Sequence, residues 1–270
     1  GKGKLPILLL HGGPGGCHEC FEIMEKYMDL EKYTLIYYDQ LGSYYSDTVE
    51  DETLLTLERY VDEVEQVRAG LGLERFAILG HSWGGMLAIE YALKYQNQGF
   101  LKGIVISNMT ASNDSYEKSI AEVRRRLLEP EELTYLEAIE VKEDYDDKRY
   151  KEIVFEKLYS QCIFRGEEWP TFFETEKMAH NVYNKFQGNN EFIVTGTLKS
   201  WDRWENLKEI RVKALVIGAT HDTMSVEDKK EMARRIPGAK LLICPEGSHF
   251  AFWDDVQNYY RGLQEFLETI

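Results

Sequence analysis

Short apolar runs at residues 5–10, 34–38, 76–79, 103–107, 214–217 and 241–243 are each long enough for a strand and too short for an ordinary helix. A continuous apolar run leaves neither face for water, so each reads as a strand buried on both sides. Helical periods fall between most of them. Residues 54–70 carry Leu54, Leu57, Tyr60, Val61, Val64 and Val67 at three- and four-residue spacing, and residues 256–267 carry Tyr260, Leu263, Phe266 and Leu267 on one side. Alternation of buried strand and helix is the pattern of an α/β protein, with a mostly parallel sheet and helices on both faces. The alternation stops over residues 110–200. There Ile120, Val123, Leu127 and Leu128, and later Ile153, Phe155, Leu158 and Tyr159, recur at helical periods in a charged, aromatic setting. The expected division is a core of residues 1–109 and 201–270 and a helical cap of residues 110–200 over the sheet's carboxyl edge, where such folds bind ligands.

Charge narrows the partners. With 32 Lys and Arg against 47 Asp and Glu, the formal charge is −15, which repels a polyanion unless a basic patch intervenes. The densest basic run, Arg124, Arg125 and Arg126, is flanked by Glu122 and Glu129 and reads as a solvated helix face, so no nucleic acid partner is expected. No apolar stretch reaches the roughly 18 residues of a membrane span, and the apolar part of residues 1–10 is too short for a signal sequence. A cytoplasmic protein is expected, or a periplasmic or secreted one if a removed leader preceded Gly1. Cys162 and Cys244 read as buried thiols. Cys17 and Cys20 have C-x-x-C spacing without a second ligand pair or a thioredoxin-like context, which argues against a metal or redox site.

The chemistry-bearing motif is Gly80-His81-Ser82-Trp83-Gly84-Gly85, which follows the apolar run 76–79 and precedes a helix-forming stretch. G-x-S-x-G needs this strand-turn-helix setting, because its glycines permit the sharp turn that lifts the serine hydroxyl above the sheet. Ser82 is the candidate nucleophile. It requires a base, and in the α/β-hydrolase order of nucleophile, acid, histidine the remaining partners lie downstream. Asp222 leaves the end of the run 214–217 and fits the acid. His249 follows the run 241–243 and fits the base. Of the remaining histidines, His221 is the one rival, but it immediately precedes Asp222 and is poorly placed to be oriented by it. His11 and His81 flank glycine turns as structural polar residues, His180 lies in the cap, and His18 is expected at an exposed helix start. His11-Gly12-Gly13-Pro14-Gly15-Gly16 is similar to the HGG-type oxyanion loop, and a phosphate loop is disfavoured because no Gly-Lys-Ser/Thr follows. The amides of Gly13 and Trp83 are the candidate oxyanion hole.

HGGPGG, the segment Asp39-Gln40-Leu41-Gly42-Ser43 with Ser46-Asp47, GHSWGG, and the Asp222 and His249 loops together resemble the proline iminopeptidases among the α/β hydrolases. The resemblance spans nearly the whole chain. It leans to the branch of the tricorn-interacting aminopeptidases through Val182-Tyr183-Asn184, Gly188-Asn189-Asn190-Glu191-Phe192 and the segment from Thr195 to Asp202. It implies a serine exopeptidase that releases an N-terminal residue, often proline, from a short peptide, with no metal or organic cofactor. It also implies that Glu191 receives the substrate amine with Tyr183 beside it. One departure is visible: this branch usually has a second glutamate directly after the acid, and here that position is Thr223. The family also generally has a β-hairpin before the first run, so truncation at the N-terminus is expected. An amino-acid amidase or small-ester hydrolase on the same scaffold is the alternative, and a non-catalytic binder is disfavoured by the intact Ser82, Asp222 and His249. A monomer is expected.

Overall fold

The computed structural model describes residues 1–174 and 177–270. The apolar runs form six strands: β1 (Leu5–Leu10), β2 (Tyr33–Tyr37), β3 (Phe76–His81), β4 (Leu101–Ser107), β5 (Lys213–Ala219) and β6 (Lys240–Cys244). They make one sheet in the order β2-β1-β3-β4-β5-β6, and every neighbouring pair is parallel.

Strand side chains alternate between faces, so each central strand feeds two cores. Leu8 and Leu10 of β1 and Phe76 and Ile78 of β3 enter one core with the helices Leu57–Gly70 and Trp83–Tyr95. Ile7, Leu9, Ala77 and Leu79 enter the other, against the helix Val256–Leu267. The helix Trp83–Tyr95 is apolar nearly all round and is buried along most of its length, which places it deep against the sheet. The helix expected from residue 54 begins instead at Leu57. Thr56 caps it by accepting from the Arg59 amide at 3.2 Å, and Leu54 ends a separate short turn, 43% exposed.

From β1 the chain first moves outward to β2, then returns past β1 to β3 and continues in the other direction. The strand order therefore reverses beside β1, and the loops leaving the carboxyl ends of β1 and β3 flank a crevice of the kind that holds ligands in open α/β sheets. Residues 110–200 contribute the helices Asn113–Leu127, Pro130–Lys142, Lys148–Ile153 and His180–Phe186, and a π-helical stretch Val154–Ile163. Ser112 caps the first by accepting from the Ser115 amide. The π-helical stretch ends against the sheet's edge, where the carbonyls of Cys162 and Ile163 accept from the amides of His249 and Phe250 at 2.8 and 3.1 Å.

Candidate active site

Ser82 sits between β3 and the helix Trp83–Tyr95 at φ 55° and ψ −123°, a strained backbone for a residue with a Cβ. The neighbouring glycines make this turn sterically feasible. A Cβ on Gly80 would collide with the Gly84 carbonyl, and one on Gly84 with the Leu10 carbonyl. The turn places Ser82 at a helix N-terminus, where the Trp83 amide has no intrahelical acceptor and the helix dipole favours negative charge.

The glycine loop after β1 lies directly against this turn. A Cβ on Gly12 would stand 3.1 Å from the Ser82 Cβ, and Gly13, at φ 113°, has no room for a Cβ beside the amides of Gly15 and Gly16. The buried His11 ring fixes the loop's base. The Gln40 amide donates to His11 Nε2 at 3.1 Å, which leaves Nδ1 as the donor to the Gly12 carbonyl at 2.9 Å. Burial holds this imidazole neutral, with its pKa lowered to about 4. Gln40 then donates to the His11 carbonyl and accepts from the Trp83 indole at 2.7 Å, joining the glycine loop to the serine turn. Sequence reasoning placed Gln40 in a family motif without seeing this bond.

Asp222 and His249 meet: Asp222 Oδ1 accepts from His249 Nδ1 at 2.8 Å, with both side chains buried. This bond leaves Nε2 as the nitrogen able to take a proton. The two pKa shifts agree in direction. Burial opposes both charges, yet Asp222's charge and hydrogen bond, with Glu191, raise the His249 pKa above its ordinary value. Burial likewise opposes the Asp222 charge, but His249, Lys229 and Asn108 hold its carboxyl well below the usual carboxylate range. His221 turns elsewhere, into a separate cleft with Arg126, Gln161 and Arg165. His18, expected at an exposed helix start, does begin the short helix His18–Phe21 but is only 29% exposed, with its Nδ1 bonded to Asp39 at 2.6 Å.

Ser82, Gly13, Tyr183, Glu191 and His249 all line one cavity of about 430 Å³, with Tyr159, Ile163, Phe172, Phe173 and Phe250 as its apolar wall. Of the aromatic residues in the stretch 110–200, Tyr159, Phe172, Phe173 and Tyr183 reach the cavity. Trp169 and Phe186 instead pack on other rings, Trp169 on Phe155 and Phe164 and Phe186 on Trp83 and Tyr60. Glu191 is held by tyrosines: Tyr116 donates to Oε1 and Tyr183 to Oε2 at 3.2 Å. Burial raises its pKa, prevailing over His249 and the two hydroxyls, which favour the anion. Thr223, at the departure from the family pattern, donates to Asp222 Oδ1 at 3.2 Å and is fully buried.

Cys17 and Cys20 also line the cavity as free thiols, and burial pushes the Cys17 thiol up to about 11. Among the described residues, no group of three or more His, Cys, Asp and Glu side chains is arranged to hold a metal ion. No helix among them is long and apolar enough to cross a membrane. The residues missed by sequence reasoning are Asn108, Tyr116 and Lys229. Asn108 follows β4 at the sheet's carboxyl edge, a position that alone could have marked it.

A family model described as alpha/beta hydrolase fold matches residues 6–256. A proline iminopeptidase of Flavobacterium johnsoniae is 40% identical, over 99% of this chain and 91% of that protein. One from Elizabethkingia meningoseptica is 42% identical with the same coverage. The chain belongs to the proline iminopeptidase family of α/β hydrolases. Likeness to the family extends to solved structures. The crystal structure of the Mycobacterium smegmatis proline iminopeptidase superposes with a TM-score of 0.89 at 28% identity, over 98% of this chain and 89% of that one.

Proposed function

We propose that this protein is a serine exopeptidase that releases an N-terminal residue, proline or another apolar residue, from short peptides through an acyl-enzyme. The observation that carries the reading is the placement of a strained serine, the Nε2 edge of a carboxylate-bound histidine and a half-buried, tyrosine-held glutamate on one cavity wall. The membership in a family of proline iminopeptidases supports the substrate class.

In this reading the substrate ammonium pairs with Glu191, beside Tyr183, and the first side chain lies against Phe172, Phe173 and Phe250. A charged contact in a buried site discriminates strongly against a blocked amine, because blocking leaves the carboxylate without its partner. Ser82 Oγ attacks the first carbonyl carbon while its proton passes to His249 Nε2, and Asp222 stabilises the imidazolium. The amides of Gly13 and Trp83 receive the oxyanion. The C–N bond breaks as the same proton passes to the leaving amine, and water then repeats the sequence on the ester to release the free amino acid.

The reading treats residues 110–200 as a cap on a core of residues 1–109 and 201–270, supported by the helices that fill that stretch and by their bonds to the His249 loop. Four free, buried cysteines support a reducing compartment, the cytoplasm. A fluorophosphonate probe tests the nucleophile: the protein is expected to gain one adduct, mapped to Ser82, and Ser82→Ala to gain none. An adduct elsewhere, or a Ser82→Ala protein that still turns over substrate, removes Ser82 from the role.

A further inference from the structure

A carboxylate stands beside the nitrogen that must accept the Ser82 proton in this reading. Glu191 Oε1 lies 3.9 Å from His249 Nε2, with the histidine buried and the glutamate side chain 14% exposed. The carboxylate is anchored on both oxygens, by Tyr116 on Oε1 and Tyr183 on Oε2, and its own amide donates to the Tyr159 hydroxyl at 3.4 Å. Three tyrosines thus hold an anion against the working edge of the base. A carboxylate at this range stabilises imidazolium, the form of histidine that has no lone pair for a serine proton.

We infer that Glu191 has a second role: in the free enzyme it pairs with His249, and the substrate's own ammonium, by taking Glu191 as its partner, releases His249 to act as the base. The inference rests on the reading of Glu191 as the amine site. When the ammonium arrives, its charge offsets that of Glu191 and also stands near the imidazolium. Both effects favour transfer of the Nε2 proton to solvent water, the N–H bond breaking as the O–H bond forms, and no heavy-atom bond changes. A blocked peptide or an ester brings no such charge and meets the paired, protonated base. Selection for a free amine then acts on chemistry as well as on binding.

The other charged and titratable neighbours of His249 do not offer this route. Asp222 holds the opposite, Nδ1 edge, and Lys229 is fully buried; neither lines the cavity. His81 lies with its ring centroid 4.9 Å from that of His249 and reaches the cavity, but burial holds it neutral. Lys177 and His180 are also on the wall, and Lys177 is tied to Glu19. Among the described residues, Glu191 is the charged partner of Nε2 that a ligand can meet.

The test is the pH dependence of Ser82 labelling by an uncharged fluorophosphonate, which carries no amine. Glu191→Gln is expected to move the acid midpoint down by about one pH unit, so that one unit below the wild-type midpoint the variant labels about fivefold faster. A midpoint that does not move overturns the inference. A second measurement needs no variant: on a proline anilide, the acid limb of kcat is expected to lie below that of kcat/KM, and coincident limbs overturn the inference. If Glu191→Gln loses the preference for free amines while the labelling midpoint stays, the coupling fails and the amine site stands. If it loses activity equally on free and acetylated substrates, the amine-site reading fails and the gating with it.

Discussion

Asn108 Nδ2 donates to Asp222 Oδ2 at 3.0 Å and also to the Ser248 carbonyl at 3.2 Å, so one side chain ties the end of β4 to both the acid and the loop carrying His249. Its Oδ1 accepts from the Ser107 hydroxyl, which in turn accepts from Tyr259 at 3.0 Å. Asn108 adopts φ 53°, a left-handed conformation that asparagine tolerates better than most residues. With Oδ2 held, Asp222 presents Oδ1 to the imidazole. Asn108→Ala is expected to lower kcat by about 10- to 100-fold with KM little changed, since misplacing a catalytic group costs rate more than binding. A rise in KM at unchanged kcat would contradict this positioning role.

The His249 pKa lies above its ordinary value of 6.5, and a histidine in the proposed role of base must be neutral. Activity on an amine-free ester is therefore expected to fall as pH drops through a midpoint above 6.5, and to be retained on the alkaline side of it. Initial rates across the pH range check this. A midpoint well below 6.5 would mean that Asp222 and Glu191 do not outweigh the burial of the ring.

Glu191→Gln keeps the shape of the side chain and removes its charge. The loss of a buried charged contact costs roughly 2–5 kcal/mol, so kcat/KM on free-amine anilides is expected to fall by about 30-fold or more. Esters without an amine should be spared that loss. Equal losses on both would show that Glu191 supports the site in some other way.

Much of this was legible in the sequence because burial on both faces writes strands as continuous apolar runs, and all six runs are strands. Ser82, Asp222 and His249 were legible because each follows such a run, and the structure brings the acid and the histidine together. Asn108 has the same placement, yet one asparagine after a strand carries no signal of which carboxylate it will meet. The anchoring of Glu191 was hidden for a different reason. Tyr116 and Tyr159 lie 75 and 32 residues from it, and helical periodicity reports which face of a helix is apolar, not where a hydroxyl ends. The start of the helix at Leu57 rather than residue 54 was decided by the Thr56 cap, which overrode one more apolar residue in register.

Lys229 is fully buried, its Nζ has no hydrogen-bond partner, and burial lowers its pKa. A buried ammonium without a bonded partner is costly, so Lys229→Met is expected to raise stability by about 1 kcal/mol, seen as roughly 2–4 °C in Tm. Lys229 also opposes protonation of His249, and its removal should move the acid limb of activity upward. Destabilisation with an unmoved limb would show that the Asp222 charge depends on Lys229 for its place in the fold.

A serine exopeptidase of the proposed kind requires a free amine on its substrate. That requirement is tested most directly by initial rates on proline, alanine and phenylalanine anilides, each free and N-acetylated, beside a short-chain nitrophenyl ester. Turnover of the free-amine anilides is expected, fastest for proline or another apolar residue, with at least about 30-fold slower turnover of their acetylated partners. Equal rates on free and acetylated anilides, or turnover of the ester alone, would contradict it.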